Sequence, residues 1–140
     1  MTGSSARTTP EPRHSAGAGR AYRAGVAVAV VTSFLTVWTT VVRDDGTGIG
    51  FFLLIMAAVT GAFAAWFQAA GMVRAMLGVA IMQVLFGVAI ATAPSTADTP
   101  DGGFRVLLFS GVFTLLWLLS AACFRVAANA EHRAARGSAA

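Results

Sequence analysis

The stretch RVLLFSGVFTLLWLLSAACFR, residues 105–125, decides the fold. Two arginines bracket 19 residues that carry no charge. As an α-helix those residues rise about 28 Å, close to the thickness of a bilayer's hydrocarbon core. In hydrocarbon every backbone N–H and C=O must find a partner within its own segment, so helix is the form required. Three further segments read the same way. They are residues 24–42 between Arg23 and Arg43, 51–70 in the uncharged stretch between Asp45 and Arg74, and 75–93 between Arg74 and Asp98. The expected fold is an all-α membrane protein, an antiparallel bundle of four transmembrane helices.

Composition supports lipid as the solvent. Of 140 residues, 56% are hydrophobic and 11% charged, and the mean hydropathy is +0.72. A soluble domain is about a quarter charged. All ten basic residues are arginine. The sequence pI near 11.1 would suggest nucleic acid in a soluble chain. Here the arginines flank apolar segments, so the bilayer is the expected partner and nucleic acid is not. Cys123 is the one cysteine and is read as a small apolar residue near a helix end.

Residues 1–20 lack an apolar period and read as a disordered tail. Residues 21–128 form the expected transmembrane domain, and 129–140 a second tail, with helix four continuing about two turns beyond Arg125. The first apolar stretch is longer than a signal-peptide core and ends in TTVVRDD without a small-residue cleavage site, so it reads as an uncleaved span. Short links, at 43–50, 71–73 and 94–103, force successive helices to run antiparallel. Gly71 is the expected C-cap of the tight turn between spans two and three.

The charges orient the bundle. Arg7, Arg13, Arg20, Arg23, Arg74, Arg125, Arg133 and Arg136 fall on one side, and Arg43 and Arg105 on the other. This bias places both termini in the cytoplasm. Asp44, Asp45, Asp98 and Asp101 then lie outside, and Glu11 and Glu131 inside.

No Asp, Glu, Lys, Arg or His lies inside a span. Cation-coupled transport and general acid–base catalysis both need a titratable group at the reacting site. Small multidrug exporters of four helices carry a Glu in the first helix, where this chain has Thr32, Ser33, Thr36, Thr39 and Thr40. An enzyme is not expected, and no cofactor motif is present. Gln83 near the middle of span three is the most polar interior residue, and Gln68 lies near the end of span two. The plain reading of Gln83 is an interhelical hydrogen bond, to Thr60 or Thr114, worth about 0.6 kcal/mol. The functional reading is a polar path or ligand contact.

Small residues recur every four positions: Gly25, Ala29 and Ser33; Ala57, Gly61 and Ala65; Gly87 and Ala91. Each series lines one helix face and suits close packing. Asp44-Asp45-Gly46-Thr47-Gly48 lacks the spaced carboxylates of a calcium loop and reads as an exposed turn. His14 and His132 stand alone in opposite tails, so no metal site is expected.

Gly71-Met-Val-Arg-Ala75 with Gln83 downstream, and Trp117-Leu-Leu-Ser-Ala-Ala-Cys-Phe-Arg125, give the chain a likeness. Over roughly residues 22–127 it resembles a group of small four-span bacterial inner-membrane proteins of uncharacterised function. That resemblance implies four spans and a bacterial inner membrane, and no catalytic residue. The expected role is that of a non-enzymatic structural or accessory protein that packs against itself or another membrane protein. The alternative is a small transporter or channel for a neutral or apolar solute, with Gln83, Thr60 and Thr114 lining its path.

Overall fold

A computed structural model of the protein describes residues 13–43, 48–97 and 100–138. The described residues form an all-α bundle. Its helices are α1 (Arg13–Arg43), α2 (Gly48–Ala64), α3 (Ala69–Ala91), the single turn α4 (Pro94–Ala97) and α5 (Gly102–Ser138). α1, α3 and α5 are long and apolar enough to cross a membrane. α2 has 17 residues, a rise of about 26 Å.

The helices lie in a ring in which α5 packs along both α3 and α1, and α2 leans on α3 and touches α1 over a thinner seam. Neighbours run antiparallel. Gly25 of α1 sits under the Phe124 ring, Gly87 of α3 against Ser110, and on α2 Gly50 faces Phe86 while Gly61 faces Ala75. The main core gathers Leu54, Ala58, Met76, Val79, Trp117 and Phe124. Hydroxyls that would be unpaired in hydrocarbon bond back to their own helix, as for Thr32 to Val28 O (2.7 Å) and Thr36 to Thr32 O (2.8 Å).

Three expected boundaries shift. Residues 13–20, expected to be disordered, belong to α1, while residues 1–12 lie outside the described set. α5 runs past Arg125 to Ser138, well beyond two further turns. Finally, span two does not continue to residue 70, because α2 ends at Ala64 and α3 starts at Ala69.

The turn therefore lies at 65–68 and not at 71–73. The amide of Trp66 donates to Phe63 O (2.9 Å) and that of Phe67 to Ala62 O (3.3 Å). That pair of bonds is the Schellman closure of a helix end. Its C′ position is Trp66, at φ 48°, followed by Phe67 at φ 54°. Left-handed backbone at a non-glycine residue costs about 1–2 kcal/mol. The tyrosine hydroxyl of α1 helps hold it, since Tyr22 Oη donates to Phe67 O at 2.7 Å. Gly71 serves a different purpose. A Cβ there would stand 2.7 Å from Ala65 Cβ and 3.1 Å from its backbone, so glycine lets α3 begin directly against the end of α2. Tyr22→Phe is expected to lower stability by about 1 kcal/mol and to speed hydrogen exchange at the Gln68 amide. Unchanged exchange there would remove Tyr22 from the turn's support.

Candidate functional site

Gln83 is fully buried. Its Oε1 and Nε2 have no hydrogen-bond partner among the described residues, and the buried Trp117 Nε1 has none either. The expected partners are used elsewhere or face away. Thr60 is exposed on α2. Thr114 donates to Ser110 O of its own helix at 2.8 Å. The contact between α3 and α5 at this level is made by the Gln83 backbone, whose carbonyl accepts from Ser110 Oγ at 2.8 Å. Ser110 is buried where Gly87 leaves it room. A helical side chain leans toward its helix's N-terminus. For Gln83 that is the direction of Trp117, two turns along α5 from Ser110. Thr32 and Thr36, also buried, complete a neutral polar interior. A buried amide without partners costs about 1–3 kcal/mol. The polar side chains buried here are an amide, an indole and hydroxyls.

Gln68 lies apart from this interior, exposed at the N-cap of α3 with no capping bond from its side chain. The small-residue faces meet other parts of the same chain. Ser120 Oγ donates to Gly25 O at 2.9 Å. Ala29 packs against the main core, and Ser33 bonds Ala29 O. Gly61 faces Ala75, Ala65 faces Gly71, and the Ala91 carbonyl lies beside Gly103. Ala57 is half-buried. Sequence spacing shows which faces are small, but not whether they meet this chain or another.

Two surface features escaped sequence reading. An apolar groove of about 480 Å³ runs between α3 and α5, lined by Val84, Val88, Leu108, Val112 and Leu115 among others. A cleft of about 850 Å³ opens where α1, the 65–68 turn and the far part of α5 meet, and Arg23, Gln68, Glu131 and His132 line it. No local pattern announces it, because its walls come from three separate segments and two of these extend into stretches that composition marks as tails. Asp44, Asp45, Gly46, Thr47 and Asp98 lie outside the described residues.

Comparison with protein-family models, curated proteins and solved structures gave no match.

Proposed function

We propose that this chain is a non-enzymatic accessory protein of a bacterial inner membrane, crossing it four times with both termini in the cytoplasm. On this reading it works by lateral association, with a second copy or with another membrane protein. The observation that carries the reading is Thr60. Its hydroxyl is exposed on the outer face of α2 and makes no hydrogen bond among the described residues, whereas Thr32, Ser33, Thr36, Thr39, Thr92 and Thr114 all bond their own helices. A lone hydroxyl facing hydrocarbon favours a neighbour that can pair with it. Phe52, Met56 and Phe63 lie exposed on the same face. The arginine excess at the end shared by the start of α1, the α2–α3 turn and the end of α5 supports the orientation.

Thr60→Cys, in a chain with Cys123→Ser, is expected to give a discrete cross-linked species in native membranes. Leu115→Cys, also exposed but on α5, is expected to give much less. Equal yields from the two positions would remove the α2 face from the proposal.

The second reading, a path for a neutral solute, is favoured by the unpartnered Gln83 amide. It meets the same variant that tests the stability of the interior, below.

A further inference from the structure

We propose that the cleft at the arginine-rich end is a binding site for the headgroup of an anionic phospholipid, a phosphodiester that also carries free hydroxyls. Depth is the first argument. Tyr22 and Arg23 immediately precede the uncharged residues 24–42, and α5 reaches the cleft just after the uncharged residues 106–124. The cleft therefore opens at the level where the hydrocarbon core gives way to headgroups. Trp66, 83% exposed at the adjoining turn, marks the same level.

Charge is the second argument. Among the described residues this end of the bundle holds Arg13, Arg20, Arg23, Arg74, Arg125, Arg133 and Arg136 against Glu131 alone, and of these Arg23 and Glu131 line the cleft itself. Among the described side chains, none of Arg20, Arg23, Arg74, Arg125, Arg133 and Arg136 is in an ion pair with Glu131. Cationic groups near an anionic leaflet each contribute about a fivefold gain in binding.

Shape and chemistry are the third. The floor is made of small buried residues, Ala69, Ala127 and Ala128. Gly19 on one wall has nothing within 4 Å of where a Cβ would be, so the space is open there. Arg23 supplies donors for phosphate oxygens, while Gln68 and the Glu131 carboxylate can accept from headgroup hydroxyls. A zwitterionic headgroup would bring its ammonium into an arginine-rich end. The placement rests on the helices being embedded in a bilayer, and not on lateral association through α2.

The test uses the full chain in nanodiscs of mixed phosphatidylglycerol and phosphatidylcholine, with retained lipid read by native mass spectrometry. Selective retention of phosphatidylglycerol is expected. Arg23→Gln is expected to reduce it about fivefold, and Arg136→Gln, the same loss of charge beyond the cleft, to leave it nearly unchanged. Gly19→Leu fills the cleft without altering charge and improves helix propensity, so it is expected to abolish retention in a folded protein. Equal losses in Arg23→Gln and Arg136→Gln would reduce the effect to general surface attraction and overturn the site. Retention that survives Gly19→Leu would overturn it too. Inorganic phosphate binding as strongly in pure phosphatidylcholine discs would show a soluble anion site and not a lipid site.

Discussion

Trp117→Ala is expected to destabilise the protein by about 3–5 kcal/mol, the range for emptying a buried large aromatic site. A reversible unfolding titration in mixed micelles measures it. The indole has no exposed surface. It lies in one cluster with Leu54 of α2, Met76 and Val79 of α3, and Phe124 of its own helix. Removing it opens a void where three helices meet, and a shift of one helix to fill that void withdraws contacts from another. Trp117→Phe separates volume from polarity. It keeps an aromatic ring and removes an N–H with no acceptor among the described residues, so a loss below about 1.5 kcal/mol is expected. A parent-like midpoint for Trp117→Ala would mean that the interior is not packed around this ring.

Gln83→Leu is expected to act in the opposite direction, raising stability by about 1–3 kcal/mol. The amide has no partner for Oε1 or Nε2 among the described residues, and an unsatisfied buried polar group is worse than an apolar group of similar size. The Ser110 hydrogen bond is unaffected because it uses the backbone carbonyl of residue 83. A loss of stability would show that the amide is hydrogen-bonded in the folded protein. The same variant addresses the transport reading. A more stable protein that no longer carries a neutral solute into proteoliposomes would identify Gln83 as an unstable feature retained for function. Uptake equal to that of the parent chain would remove Gln83 from any path.

Much of this architecture can be read residue by residue. Arg105 and Arg125, or Arg23 and Arg43, bracket uncharged stretches within longer helices, because charge is excluded from hydrocarbon while apolar residues are not. Trp117, in the middle of such a segment, reads as a packing residue, and it is buried. Helix ends are less legible. Gly71 carries the composition of a C-cap, yet the chain turns at Trp66 and Phe67, in a conformation that local preference disfavours. Only the closeness of Ala65 to Gly71 and the bond from Tyr22, 45 residues away in sequence, explain the choice. The tails mislead in the same manner. Residues 13–20 lack an apolar period and read as disordered, and the residues after Arg125 read as about two more turns and then a tail. Ala21 and Tyr22 nonetheless pack on Ala69, Ala127 and Ala128, which orders the helices on which both segments lie.

The sequence by itself determined that this protein is helical, that its helices are apolar along bilayer-length stretches, and that those stretches hold no Asp, Glu, Lys, Arg or His. Those properties follow from composition and from the backbone's need for internal hydrogen bonds, which act within a segment. Only the tertiary structure decided that the small-residue faces pack against other parts of the same chain, that Gln83 lacks the partners its spacing suggested, and that segments read as tails help to wall a cleft. Each of these depends on which helix lies beside which, and at what height. Contacts between residues far apart in sequence set that arrangement, and no periodicity within a single helix encodes it.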